Sequence, residues 1–227
     1  YYSDRLEQLL PKTCEVTICK YKDIQNLSEK FDWALCAYTE TSIAFKVDLQ
    51  VIKNKADECG AKLYVDATGS IGLEEDHELA DVMAFSSCKG LFGLTGACFV
   101  AYKSNLVPKL SEYFYFNLDT QINKMITGPY HAIASLYGVM NYHDTFKERV
   151  VNSKKRVLQK WHKLVRDDNQ PLLCTYLEGK VIPNDDNIVL YTPRSKLSGS
   201  VICHFGEIHN DKVNMINRIT IEGRKKV

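Results

Sequence analysis

Three short apolar runs each stop at a polar edge, and that repetition constrains the fold more than any other feature. Trp33–Tyr38 is followed by Thr39-Glu40-Thr41-Ser42, Lys62–Val65 by Asp66-Ala67-Thr68, and Val82–Phe85 by Ser86-Ser87-Cys88-Lys89. Such runs suit strands, and the nearly continuous Trp33–Tyr38 suits one buried on both faces. Between the first two, Val47–Cys59 carries apolar residues at helical spacing and ends at Gly60, a natural helix C-cap. Ala97–Tyr102 reads as a further strand. Near the start, Ser3–Leu10 predicts a helix capped by Ser3 or Asp4 and closed by Pro11, and Cys14–Cys19 alternates like a strand. Strands interleaved with helices specify an α/β fold around a mostly parallel sheet flanked by helices.

The pattern changes after Pro129. His131–Tyr142 and Phe146–Val165 predict two helices, Leu172–Leu177, Asn187–Tyr191 and Ser200–Phe205 predict short strands, and Asp211–Ile219 predicts a last helix. The chain therefore divides into a large domain, 1–144, and a small C-terminal α+β domain, 145–227. Its 227 residues are 45% hydrophobic and 25% charged, an ordinary globular balance that can support a core without disulfides. The formal net charge of +1 gives no electrostatic reason to expect nucleic acid or an anionic membrane as a partner. No run approaches the roughly twenty apolar residues of a membrane helix. Eight scattered cysteines without a C-x-x-C pair read as buried free thiols in a reducing compartment, the cytoplasm, and not as a zinc site or disulfide framework.

In open parallel sheets, ligands bind beyond the carboxyl ends of the strands. Here that edge would receive hydroxyls, a carboxylate and a lysine. Singly these are ordinary helix caps and solvated ends; together they form a site. They are the parts pyridoxal 5'-phosphate needs. A lysine amine forms the Schiff base, a carboxylate keeps the ring nitrogen protonated, and hydroxyls hold the phosphate and the ring oxygen.

The segments Leu63–Gly72, Ala80-Asp81-Val82 and Ser86-Ser87-Cys88-Lys89-Gly90 resemble the class V aminotransferases of fold-type I pyridoxal-phosphate enzymes. Thr39–Ala44 resembles that branch's "E-[ST]-[ST]-[ST]-G" segment, and the steps of 25 residues from Thr41 to Asp66 and 23 from Asp66 to Lys89 match its spacing. Within the branch the likeness is closest to 2-aminoethylphosphonate–pyruvate transaminases and alanine–glyoxylate aminotransferases. The resemblance implies that Lys89 carries the cofactor and shuttles a proton, that Asp66 pairs with the pyridinium nitrogen and that Thr41 bonds the ring oxygen. It implies that Ser86 binds phosphate, and that Thr127 reaches the phosphate of a neighbouring subunit in a homodimer with shared active sites. The implied reaction moves an amino group from a primary amine donor, such as 2-aminoethylphosphonate, to a keto acid such as pyruvate. A lyase or decarboxylase of the same fold, and a non-catalytic relative acting as a subunit, are the alternatives.

Two departures stand out. In Cys203-His204-Phe205-Gly206-Glu207-Ile208, His204 stands where the family's "F-R-I-G" segment has an arginine that clamps the substrate's anion. His204 becomes the substrate-binding candidate, with Arg194 as another anion ligand. Tyr1 also begins after the family's Gly/Thr-rich phosphate turn and its ring-stacking aromatic. The expectation is a large domain lacking its N-terminal part, with both elements missing and the chain belonging to a longer polypeptide.

Overall fold

The computed structural model describes residues 1–106, 117–124, 127–166, 169–192, 194–207 and 215–223. In chain order the first part forms helix α1 (Tyr2–Leu9), strand β1 (Trp33–Ala37) and a short pair, β2 (Thr39–Glu40) and β3 (Phe45–Lys46). Helix α2 (Leu49–Glu58) and strands β4 (Lys62–Asp66), β5 (Val82–Ser86) and β6 (Cys98–Tyr102) follow. Helices α3 (Leu118–Asn123), α4 (Tyr130–Met140) and α5 (His143–Trp161) lead to β7 (Cys174–Leu177), β8 (Gly179–Pro183), β9 (Ser200–Cys203) and β10 (Ile219–Gly223).

The main sheet has the order β1-β4-β5-β6, with the first three strands parallel and β6 antiparallel to β5. Its register fixes two faces. On one, Leu63 and Val65 are fully buried and pack with Leu49 and Ile52 of α2. Burying each such side chain contributes about 1.5–3 kcal/mol. Asp48 starts α2 by accepting from the N–H groups of Gln50 and Val51 at 2.9 and 3.1 Å. On the other face, Leu35, Tyr64, Val82 and Tyr102 form one row across the strands, and Ala37, Asp66, Ala84 and Val100 the next. Trp33, Leu35, Val100 and Tyr102 are exposed there, so β1 is covered on one side and not on both as its apolar run had indicated.

In the second part, α5 turns Val150, Ser153, Val157 and Trp161 inward, a helical stripe that forms core with β7, whose four residues are all buried. Strand β7 pairs with β9, and β8 with β10, both antiparallel. Further sequence expectations fail, among them a Ser3 or Asp4 cap for α1, whose N-cap residue is Tyr1. Cys14–Cys19 is exposed and irregular, because alternation makes a strand only where a neighbour supplies hydrogen bonds. Asn187–Tyr191 is irregular as well, with Val189 and Tyr191 exposed. Of the expected last helix, 211–214 lie outside the described residues, Met215–Asn217 is a single 3₁₀ turn, and Ile219 opens β10. The alternating, β-branched Ile219-Thr220-Ile221 was the signal for that strand. The thiols also divide differently: Cys59 and Cys174 are buried, whereas Cys14, Cys19, Cys98 and Cys203 are exposed, and all eight are free. No helix among the described residues is long and apolar enough to cross a membrane.

His204 belongs to this small-lobe core. It is 1% exposed, with Nδ1 at 3.2 Å from the Ser153 hydroxyl and Nε2 at 2.8 Å from that of Thr175. Both ring nitrogens are occupied, so His204 is corrected from a substrate ligand to a buried packing residue. Burial, assisted by the positive charge of Lys154, pushes its imidazole down to about 3. An unfolded histidine near 6.5 therefore binds a proton that the folded one refuses. The resulting stability is complete above the unfolded value and drains away as pH falls towards 3, at about 1.4 kcal/mol per pH unit. Urea unfolding at about pH 6.5 and pH 4.5 should show His204→Gln losing roughly 2–3 kcal/mol less over that interval than the parent. Identical pH dependence in both proteins would contradict this account.

Candidate active site

The loop between β5 and β6 is held from within before it presents any chemistry. The buried Ser87 hydroxyl donates to the carbonyl of Leu94 at 2.6 Å and accepts from the N–H of Ala97 at 3.3 Å. Phe92 adopts φ +60°, a left-handed conformation that costs a bulky residue of order 1–3 kcal/mol. Its buried ring offsets that strain by packing against His143, Phe146 and Phe205, with centroids 5.1, 5.6 and 5.7 Å away. The loop also touches the turn that follows β4. A Cβ on Gly90 would lie far inside van der Waals contact distance of the Ile71 carbonyl oxygen, and one on Gly72 would meet the Gly90 carbonyl at 2.7 Å. His143 Nε2–H donates to that Gly90 carbonyl at 2.8 Å. Lys89 is thus carried on a segment clamped between the β4 turn and α5.

The sheet delivers the remaining groups. Asp66 ends β4, and Ser86 ends β5 on the same face. The N–H of Thr68 donates to Asp66 Oδ1 at 2.9 Å, and no other hydrogen bond reaches this carboxylate among the described residues. Thr41 lies over the same turn, since a Cβ on Gly69 would meet Thr41 Cγ2 at 3.2 Å. Its hydroxyl has no hydrogen-bond partner among the described residues, and Ser86 Oγ meets only the thiol of Cys88, at 3.6 Å. Beside them Thr39 Oγ1 is buried without a partner, a group whose desolvation is uncompensated.

Lys89 is half-buried and makes no ion pair among the described residues; its Nζ lies 5.4 Å from the centroid of the Tyr2 ring. Such a contact favours an ammonium on a π-face. Tyr2 is fixed from both ends. Glu40 Oε2 accepts from the backbone N–H groups of Tyr2 and Ser3 at 2.8 and 3.4 Å, and Oε1 accepts from Ser42 Oγ at 2.5 Å. Helix α1 has no side-chain cap at its own N-cap position, so this carboxylate supplies one and opposes the helix dipole favourably. Arg194 Nη1 donates to the Tyr2 hydroxyl at 2.8 Å, and Ser195 Oγ donates to Ser42 Oγ at 3.0 Å. The loop of the small lobe is thereby tied to the strand-end residues. Cys174 adjoins them, its Sγ 4.0 Å from the Thr41 carbonyl; burial, with Cys203 adding to it, pushes the thiol up to about 12, so it remains protonated.

The structure therefore gathers Lys89, Asp66, Thr41 and Ser86 at the edge named from the sequence. It does not bring His204 there. Thr127 stands exposed ahead of α4 and makes no hydrogen bond to the other candidates among the described residues. Tyr2 and Glu40 had no expected role. Tyr2 nevertheless places an aromatic ring beside Lys89. The available signal was an acidic residue between two threonines at a strand end. No group of three or more histidine, cysteine or acidic side chains able to hold a metal occurs among the described residues.

A free amine, a carboxylate with an unfilled oxygen, and hydroxyls lacking partners form a donor set that fits a phosphorylated pyridine aldehyde. No protein-family model and no curated protein sequence matches the chain. Solved structures do. The aspartate aminotransferase of Thermus thermophilus superposes with a TM-score of 0.56 at 16% identity, over 75% of this chain and 52% of its own. For the alanine–glyoxylate aminotransferase of a Nostoc species the values are 0.53, 15%, 68% and 46%. For the cysteine desulfurase of Thermococcus onnurineus they are 0.52, 16%, 69% and 46%. The chain spans about half the length of these proteins. The fold is that of fold-type I pyridoxal-phosphate-dependent transferases.

The clamp on Lys89 gives a direct test. Gly90→Ala must displace the backbone of Ile71, and should cost about 3 kcal/mol, the upper part of the range for overpacking. Denaturant unfolding measures it, and a cost below about 0.5 kcal/mol, the size of an ordinary surface change, would contradict the close approach.

Proposed function

We propose that this chain carries the catalytic lysine and much of the cofactor site of a pyridoxal 5'-phosphate-dependent aminotransferase. The observation that supports it most is a half-buried Lys89 that makes no ion pair among the described residues, together with an Asp66 carboxylate whose second oxygen accepts no hydrogen bond among them. Both stand at one sheet edge, in a fold shared with aminotransferases.

When bound, the cofactor supplies a ring that accepts the electron pair released at the amine-bearing carbon of the donor. Lys89 Nζ would hold the cofactor and would take and return a proton at the amine-bearing carbon. The Asp66 carboxylate would accept from the protonated ring nitrogen, its negative charge favouring that state. The Thr41 hydroxyl would donate to the ring oxygen, and Ser86 Oγ to the phosphate. Tyr2 walls the site beside the lysine, and Glu40 fixes Tyr2. The donor's anion falls to the exposed Arg194 rather than to His204, whose nitrogens are occupied. The resemblance of the sequence points to 2-aminoethylphosphonate as donor and pyruvate as acceptor.

Thr127 is read as facing a second copy in a homodimer with shared sites, and the exposed Tyr130, Tyr137 and Met140 of α4 support an apolar contact there. The free thiols support a reducing, cytoplasmic setting. Full-length protein given pyridoxal 5'-phosphate should develop a visible absorption band that borohydride fixes covalently at Lys89. Lys89→Ala should lose the band, and Asp66→Ala should retain it while losing at least a hundredfold in turnover. Absence of a band in folded, saturated protein would refute the reading. Turnover of an amine that proceeds without any keto acid would favour a lyase instead.

A further inference from the structure

Strands β7 and β9 set Cys174 directly opposite Cys203. Opposed residues of an antiparallel pair share one face of it, so the two side chains stand on the same side. The hydrogen-bond ladder shows which kind of pair they form. The N–H of His204 donates to the Leu173 carbonyl at 2.9 Å, so the hydrogen-bonded pair is the neighbouring one. Two residues along β7, the backbone of Tyr176 points away from β9. Its N–H donates to Gln170 Oε1 at 2.6 Å, and its carbonyl accepts from Gln170 Nε2 at 3.4 Å. Cys174 and Cys203 are therefore a non-hydrogen-bonded pair, the narrow kind, with Cα atoms about 4.5 Å apart. That falls at the short end of the range of about 4.4–6.8 Å that disulfides span. No other two cysteines are opposed in the strand pairings of the described residues.

Both thiols are free, and they differ in access. Cys203 is exposed and lines a cavity of about 660 Å³, whereas Cys174 is 2% exposed. Burial raises the Cys203 thiol, but the N–H of Phe205 and the charge of Lys89 both act against that rise, so the outer sulfur is also the one whose thiolate is supported. Cys174 Sγ in turn lies 4.0 Å from the Thr41 carbonyl. We infer that Cys174 and Cys203 are a dithiol that closes reversibly to a cross-strand disulfide and, in closing, releases the turn bearing Thr41. The Cys203 thiolate attacks one sulfur of a low-molecular-weight disulfide and expels a thiolate, which takes up a proton. Cys174 then gives up its proton and attacks the Cys203 sulfur, forming the Cys174–Cys203 bond and expelling the second small thiol. The protein loses two electrons and two protons, and the small disulfide gains both. Once bonded, the Cys174 sulfur has no hydrogen to donate to the Thr41 carbonyl. The inference concerns these strands and holds whether or not the site takes pyridoxal 5'-phosphate.

The test equilibrates full-length protein with glutathione and glutathione disulfide at graded ratios, alkylates the remaining thiols and maps the peptides by mass spectrometry. A peptide pair joined through Cys174 and Cys203 should appear as the disulfide share rises and vanish on return to reduced glutathione. Cys98→Ser, which removes an exposed thiol of the main sheet, should leave the link unchanged. Cys203→Ser, which replaces the exposed partner and spares the core, should abolish it. The Ile43 N–H, bonded to the Glu40 carbonyl at 3.2 Å across the Thr41 turn, reports the release. Its hydrogen exchange should quicken by roughly threefold or more in the linked protein and keep the reduced rate in oxidised Cys203→Ser. A mixed disulfide that stops at Cys203, or links among other cysteines in preference to this one, overturns the pairing. A Cys174–Cys203 link that leaves Ile43 exchange unchanged overturns the release of the turn.

Discussion

The approach of Gly90 to the Ile71 carbonyl is the contact on which the rest of the site depends. One of these turns follows Asp66 and the other follows Lys89, so the packing of two backbones sets the spacing of a carboxylate and an amine. Backbone atoms cannot rotate away as side chains can, and interiors are packed too tightly to absorb a misfit. The strained Phe92 and the His143 bond to Gly90 fasten the same loop to α5. Helix α5 in turn is the main packing element of the small lobe. The two parts of the chain are therefore joined through the segment that carries the lysine.

Tyr2 performs a second joining role. Its backbone is held by Glu40 at the end of β2, its hydroxyl by Arg194 of the small lobe, and its ring lies under Lys89. The three contacts differ in kind: a charge-assisted hydrogen bond at a helix terminus, a guanidinium–phenol bond, and a cation–π contact. The side chain meets the last two with two χ angles to fix, at a low entropic cost.

Much of this was legible because strands announce themselves twice, by apolar content and by an abrupt polar end. Asp66 and Ser86 are strand ends on that reading, and the parallel register of β4 and β5 sets Asp66 beside Ala84, two residues before Ser86 on the same face. What the sequence hid depends on partners distant along the chain. Cys14–Cys19 has the alternation of a strand and no neighbour to pair with, whereas Gly179–Pro183 has a weak pattern and is made a strand by β10. Tyr2 and Glu40 are 38 residues apart, and nothing local in either shows that one caps the other. His204 was misjudged because an imidazole between polar neighbours reads alike whether it faces substrate or core. Only the hydroxyls of Ser153 and Thr175 decide the matter.

The burial of His204 also constrains how a substrate can be recognised. The two groups that meet the His204 ring among the described residues are hydroxyls, and a guanidinium paired with hydroxyls alone would be a costly buried charge. His204 therefore presents no cation at the surface, whereas the neighbouring loop exposes Arg194. Ion pairs in water contribute only about 0–1 kcal/mol and weaken with salt, whereas each buried methylene contributes about 0.8 kcal/mol. An anion held by the exposed Arg194 alone would therefore be bound weakly, and any tight ligand at this edge would need buried apolar contacts as well.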